Sequence, residues 1–299
     1  MSIKETVIDL INSGYTMVDV AHHLRDVKGD IRSVRTLRRL AANIRSEYKS
    51  EEDSYRDSQQ KIMAYKPTKV INEGDERVLV IGDLHAPFIL DGYLEFCYDM
   101  FNKYDCNRVV FMGDLIDNHY SSYHETDPDG FGGGEELERA IHQLKRWVHT
   151  FPVADICIGN HDRLILRKAF SSGIPRAWVK DFSDILGAPD WNFGEQFIYN
   201  HVRYIHGDGG VGTALTAYKR DMISTVTGHF HTKSGIEFHV GTHIALWGMQ
   251  IGAGMNDKSY AAAYARGSKK SIINCGIVLD NGKLPIIEMM DLGNKVYDC

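Results

Sequence analysis

The sequence predicts an α/β fold preceded by a small all-α module, and three patterns carry that prediction. Three short apolar runs rich in β-branched residues, Arg77-Val78-Leu79-Val80-Ile81, Arg108-Val109-Val110-Phe111-Met112 and Asp155-Ile156-Cys157-Ile158, each stop at a glycine followed by Asp or Asn. Apolar runs of that length, bounded by turn residues, read as strands of a sheet buried on both faces. The polar residues that follow belong at the carboxyl ends of the strands, where open α/β sheets bind ligands. Residues 3–44, by contrast, repeat their apolar positions at helical spacing.

Along the chain, the first helix is expected at about residues 3–13, with Ile3, Val7, Ile8 and Ile11 on one face and Gly14 as its stop. A second begins at Thr16, whose hydroxyl suits an N-cap, and carries Val18, Val20, Ala21 and Leu24. A third starts near Ser33 and aligns Val34, Leu37, Leu40, Ala41 and Ile44. The layout resembles a helix-turn-helix whose recognition helix would present Arg35, Arg38 and Arg39 to phosphates or base edges. The connection is longer than the roughly three to four residues of that motif. A helical bundle used for dimerisation or docking, with a solvated arginine face, is the alternative reading, and a homo-oligomer through these helices is one expectation. Residues 49–76 are polar without apolar periodicity and read as a linker. The expected boundaries are therefore 1–48, 49–76 and 77–299.

Beyond Asp117, the stretch Tyr120–Glu135 is too rich in Gly, Asp and Pro for a regular element, and reads as a loop at the substrate mouth leading into a helix over 135–149. His119 and His124 follow the same strand end and are candidates to face a substrate. Residues 163–193 interleave Arg163, Arg167, Lys168, Arg176 and Lys180 with Trp178 and Trp191. Such a surface can track a nucleic-acid strand; the other reading makes both tryptophans core. Past His231, alternating runs over 234–244 and 272–287, the latter broken by an Asp280-Asn281-Gly282 turn, predict a second sheet.

At 299 residues, 43% hydrophobic and 25% charged, the chain has the composition of a globular protein with a sizeable core. No apolar run approaches the ~18 residues of a membrane span, and the opening Met1-Ser2-Ile3-Lys4-Glu5-Thr6 lacks a signal-peptide layout, so a cytoplasmic location without membrane partners is expected. Five cysteines without C-x-x-C spacing indicate neither a disulfide framework nor a thiolate metal site. The net charge of −6 excludes a uniformly basic nucleic-acid coat, yet residues 1–50 hold nine Lys or Arg against six Asp or Glu.

The most informative feature is a set of separated polar motifs: Gly82-Asp83-Leu84-His85, Gly113-Asp114-Leu115-Ile116-Asp117, Gly159-Asn160-His161-Asp162, Ile205-His206-Gly207-Asp208 and Gly228-His229-Phe230-His231. Oxygen and nitrogen ligands without thiolate suit divalent ions such as Mn²⁺, Fe²⁺ or Zn²⁺. In order and spacing these motifs resemble those of the calcineurin-like metallophosphoesterases over residues 77–290. The resemblance implies a four-layer αββα sandwich and two divalent metal ions, Mn²⁺ first among the candidates. It further implies Asp83, His85 and His231 as ligands of one ion, Asn160, His206 and His229 as ligands of the other, and Asp114 as the bridge. His161 becomes the candidate general acid and Asp117 the carboxylate that orients it. The chemistry implied is attack on phosphorus by a hydroxide held between the metals, with His161 protonating the leaving oxygen.

Phosphoprotein phosphatases of this superfamily usually carry Arg after the second Asp, where its planar fork grips a phosphate dianion. Here that residue is Asn118. A phosphodiester, with one charge fewer, is therefore the expected substrate, and the basic third helix points to nucleic acid. The alternatives are a phosphomonoesterase acting on phosphoprotein or nucleotide, and a nucleic-acid-binding or scaffold protein without catalysis.

Overall fold

The computed structural model describes residues 2–12, 16–26, 32–44, 76–122, 130–258 and 270–292. Two compact units divide the chain, Met1–Lys66 and Pro67–Cys299. In the first, α1 (Ile3–Asn12), α2 (Met17–Asp26) and α3 (34–44) bury Val7, Val20, Ala21, Leu24, Leu37, Ala41 and Ile44 together. The start of each helix shows in its side chains. Ser2 and Glu5, then Thr16 and Asp19, accept each other's backbone N–H groups as capping boxes, and the Ser33 hydroxyl accepts the Thr36 N–H. Arg35, Arg38 and Arg39 are exposed on α3. The expected linker, apart from Glu76, lies outside the described residues, as does the 123–129 part of the expected loop with His124.

The second unit contains β1 (Val78–Ile81), α4 (Tyr93–Lys103), β2 (Arg108–Phe111), α5 (Gly133–Thr150), β3 (Ala154–Cys157), α6 (Leu164–Ser171), α7 (Phe182–Leu186), β4 (Trp191–Gly194), β5 (Gln196–Tyr199), β6 (Val202–Ile205), α8 (Ala214–Asp221), β7 (Ser224–Thr227), β8 (Gly235–Val240), β9 (Ala245–Gln250), β10 (Asn274–Leu279) and β11 (Leu284–Met289). One sheet has the order β11-β10-β1-β2-β3-β4, the other β5-β6-β7-β9-β8. Strands β1 to β4 run parallel, as do β6, β7 and β9.

Strand alternation builds the layers. Leu79, Ile81, Val109 and Phe111 join Tyr93, Leu94 and Cys97 of α4 and Ala140, Leu144 and Trp147 of α5 in one core. Their neighbours Val78, Val80, Val110 and Met112 face the second sheet, against Val202, Tyr204, Val226, Trp247 and Met249. On the far side α8 lies so close to β9 that a side chain at Gly248 would strike Ala214 and Tyr218. The result is a four-layer αββα sandwich, as the sequence predicts. Trp147 anchors the helical side with ring contacts to Tyr93, Phe111 and Phe151, and truncating it to Ala should cost about 3–5 kcal/mol.

Two expectations need correction. The run 272–287 does form a hairpin, but β10 pairs antiparallel with β1 and so belongs to the first sheet. Its residues explain this: Cys275 and Ile277 enter one core while Val278 enters the other, which requires a place inside the sheet. The two tryptophans of the Arg-Trp segment also part company, since Trp191 is buried beside Phe111 whereas Trp178 is exposed. No helix among the described residues is long and apolar enough to cross a membrane.

Candidate metal centre

Loops leaving the carboxyl ends of five parallel strands converge. They bring Asp83 and His85 after β1, Asp114 and Asp117 after β2, Asn160 and His161 after β3, His206 after β6, and His229 and His231 after β7. The loops are tied to one another. The His85 N–H donates to the Asp114 carbonyl at 2.9 Å, and the Asp117 N–H to the Ala86 carbonyl at 3.0 Å. Asp162 accepts the N–H of Leu115 at 3.1 Å with one oxygen and that of Gly159 at 2.9 Å with the other. The buried Gln250 amide donates to the Gly228 carbonyl at 2.6 Å, fixing the turn that carries the last two histidines.

Local backbone strain collects at this edge. His85, Asp114, Asn118 and His229 have φ of 48°, 47°, 51° and 68°, a left-handed conformation that costs a non-glycine residue roughly 1–2 kcal/mol. Such conformations persist where surrounding bonds over-determine them, and they favour active sites. Two glycines are required by close approach: a side chain at Gly159 would run into the Asp114 carboxylate, and one at Gly228 into that of Asp83.

The side chains meet in overlapping groups. His231 Nε2 lies 3.0 Å from Asp83 Oδ2 and 3.2 Å from His85 Nε2. His206 Nε2 lies 3.1 Å from Asn160 Oδ1 and 3.2 Å from Asp114 Oδ2, and His229 completes that group. Asp114 Oδ2 is also 3.8 Å from His85 Nε2, so one carboxylate oxygen reaches histidines of both groups. Two rings are aimed from behind: His206 Nδ1 donates to the Met112 carbonyl at 2.7 Å, and His85 Nδ1 meets Asp117 Oδ1 at 2.7 Å. Each arrangement turns an Nε2 lone pair inward, as metal-binding histidines require.

The charges fit a cation. Asp83 Oδ1 is buried without a hydrogen-bond partner. Burial pushes the His206 imidazole towards neutrality, but Asp114 and Asp83 overcome this and raise its pKa to about 10. Burial lowers the pKa of His85 and His229, leaving them in the neutral form that binds metal. Burial alone would raise Asp114, yet the imidazole of His206, with His161 and His85, holds its pKa well below the ordinary value. A pocket of two buried carboxylates that pulls protons onto its histidines calls for positive charge.

The model of the calcineurin-like phosphoesterase family matches residues 76–242, more than half of the chain. The chain belongs to this family. Solved structures similar to this calcineurin-like phosphoesterase include a Vps29 single mutant from Entamoeba histolytica, at 16% identity and TM-score 0.35, covering 71% of this chain and 89% of that one. A metallophosphoesterase from Sphaerobacter thermophilus has 12% identity and TM-score 0.38, with 73% and 88% covered. The phosphoesterase Yfce from E. coli has 15% identity and TM-score 0.33, with 68% and 87% covered. No curated protein matches the chain.

In this family member the residues expected at the centre come together, and the structure adds detail absent from the motifs. The Asp117 carboxylate sits closer to His85 than to His161: its Oδ1 is 2.7 Å from His85 Nδ1 and 3.4 Å from His161 Nδ1. The His161 ring is held chiefly by the Asp117 carbonyl at 2.6 Å. Burial opposes protonation of His161, but Asp114 and Asp117 outweigh it and raise its pKa. His119 is buried, with its N–H on Glu136 Oε1 at 2.8 Å. Glu136, Asp162, Gln250 and Tyr93 are the supporting residues that motif reading passes over. Tyr93 accepts the Gly82 N–H at 3.3 Å and donates to the Asn274 carbonyl at 2.7 Å. Of these only Asp162 carries a sequence signal, as the last residue of Gly159-Asn160-His161-Asp162.

Proposed function

We propose that this protein is a two-metal phosphoesterase that hydrolyses phosphodiester bonds, with nucleic acid as its substrate class. The observation that carries the reading is the placement of Asp114 Oδ2 between His206 Nε2 and His85 Nε2, at 3.2 and 3.8 Å. Asp83, His85 and His231 would hold one divalent ion, Asn160, His206 and His229 the other, and Asp114 both; Mn²⁺ is the leading candidate, ahead of Fe²⁺ and Zn²⁺. When bound, such a pair activates water as a nucleophile near neutral pH and neutralises phosphoryl charge.

The chain's own groups supply the rest. His161 is partly open to solvent, with its side chain 17% exposed, and its Nδ1 is engaged by Asp117, which leaves Nε2 to face the substrate. In its protonated form it donates that proton to the leaving oxygen. Asn118 commits its amide to the His161 carbonyl at 3.1 Å, so this position steadies the acid rather than gripping a dianion. That assignment favours a diester over a monoester. The exposed Arg35, Arg38 and Arg39 of α3 favour a polyanion as the bearer of the diester.

The test is hydrolysis of bis-p-nitrophenyl phosphate and p-nitrophenyl phosphate with added Mn²⁺, in wild type, Asp114→Ala and His161→Ala. Diester cleavage lost in both variants supports the reading. Cleavage of the monoester alone replaces it with a phosphatase, and cleavage of neither, with two metals bound, leaves a binding protein.

A further inference from the structure

Eighteen residues from Arg163 to Lys180 carry five cations and no carboxylate, in a chain of formal charge −6. They leave the candidate centre directly. The Leu164 N–H donates to the His161 carbonyl at 3.1 Å and opens α6, whose eight residues span about 12 Å. The chain then folds back, with the Ile174 N–H on the Ala169 carbonyl at 2.8 Å and the Trp178 N–H on the Pro175 carbonyl at 3.0 Å. The segment is a hydrogen-bonded hook, yet every residue from Phe170 to Trp178 is exposed.

Two rings dominate that exposed stretch, Phe170 at 86% and Trp178 at 82% exposure. Trp147, Trp191 and Trp247 are at most 3% exposed, so Trp178 is the one tryptophan that the fold leaves in water. A cavity of about 390 Å³ along α6 is lined by Arg163, Leu166, Arg167 and Phe170, by Glu195, which pairs with Arg163, and by Ile158, two residues before Asn160. A smaller cavity of about 130 Å³ includes both Asn118 and Lys180 among its walls. The hook is thus connected on two sides to the residues flanking the candidate acid.

We propose that Phe170 and Trp178 form a stacking platform for single-stranded nucleic acid, which rests on the phosphodiesterase reading above. Arg163 is held in ion pairs by Glu195 and Asp208 and Arg176 by Asp181, so the planar rings, together with Arg167, Lys168 and Lys180, are what complement a strand that offers both phosphates and unstacked base faces. A duplex keeps its base faces covered, so it gains the phosphate contacts alone. A strand lying on the hook would reach His161 along α6.

Because Trp178 alone of the four tryptophans is exposed, the share of tryptophan emission that Trp178→Ala removes reports on the platform. The full chain, loaded with Mn²⁺, is titrated with a phosphorothioate oligothymidylate of about twenty nucleotides that resists hydrolysis, and with a matched duplex. Saturable quenching by the single strand, and weaker quenching by the duplex, is expected. Trp178→Ala should abolish the quenching and weaken single-strand binding about 5- to 100-fold by anisotropy of a labelled strand, while Trp178→Phe retains most of the affinity. Bis-p-nitrophenyl phosphate hydrolysis should be equal in all three proteins. Unchanged affinity in Trp178→Ala overturns the platform, as does a self-association that Trp178→Ala abolishes without altering strand affinity. Loss of the phosphodiesterase reading would register separately, as failure of the wild type to cleave the small diester.

Discussion

The loops Gly113–Asp117 and Gly159–Asp162 lie side by side, and each buries an aspartate whose acidity moves in the opposite direction from the other's. Burial alone would raise both. Asp114 faces His206, His161 and His85, and their imidazoles hold its pKa well below the ordinary value. Asp162 has the charge of Asp114 added to its burial and is pushed up to about 6, although it accepts N–H bonds from Gly159 and Ile116. What surrounds a buried carboxylate, more than burial itself, decides whether it is a ligand or a strut. Asp114 looks into the candidate centre, whereas Asp162 stitches one loop to the other.

The sharpest break in that comparison is Asp114→Ala. It removes the one oxygen shared by both histidine groups, and diester hydrolysis should fall by more than about 10⁴-fold. His161→Ala leaves the ligand set intact and should cost about 10²- to 10⁴-fold. Since the working form of this acid is protonated and its pKa is raised, wild-type kcat/KM should hold above the ordinary histidine value and fall as pH rises further. The variant should lose that alkaline limb, which a pH–rate profile will show.

On the other loop the effects should appear in stability. Asp162→Ala leaves the buried N–H groups of Leu115, Ile116 and Gly159 without their acceptor, and thermal or urea unfolding should register a loss of about 2–5 kcal/mol. Asp162→Asn keeps an acceptor on one side but turns an NH2 donor towards the N–H on the other, so it should lose part of that amount. The smallest effect belongs to Glu136, which burial, with the charge of Asp117, raises to about 7. Its folded pKa lies above the unfolded value, so the neutral carboxyl is favoured in the fold, and its ionisation erodes stability as pH climbs from about 4.5 through 7. Glu136→Gln should remove that erosion, so variant minus wild-type stability should be more favourable at pH 8 than at pH 5, by up to about 3 kcal/mol.

Much of this was legible in the sequence because the strand ends announce themselves. Val78–Ile81, Arg108–Phe111 and Ala154–Cys157 stop one or two residues before a Gly that precedes Asp or Asn, and the parallel sheet carries those ends to one edge. Helix α5 begins at Gly133, two residues before its expected start, and no side-chain cap marks that start in the sequence. What was not legible is what depends on pairing across long separations. Glu136 looks like any acidic residue in the first turn of a helix, and only the fold sets it under His119. Asp117 can be read as a partner for His161 from the motif, but its closer tie to His85 needs the geometry of two loops 32 residues apart. The place of β10 beside β1 was likewise hidden, since a hairpin pattern does not say which sheet it joins.

The most direct test of the central claim is the metal content per chain after Mn²⁺ loading and desalting, measured in wild type, Asp114→Ala and Asp162→Asn. The account predicts about two ions in the wild type and in Asp162→Asn, and fewer than one in Asp114→Ala. Two ions retained by Asp114→Ala, or no more than one in the wild type, would contradict it.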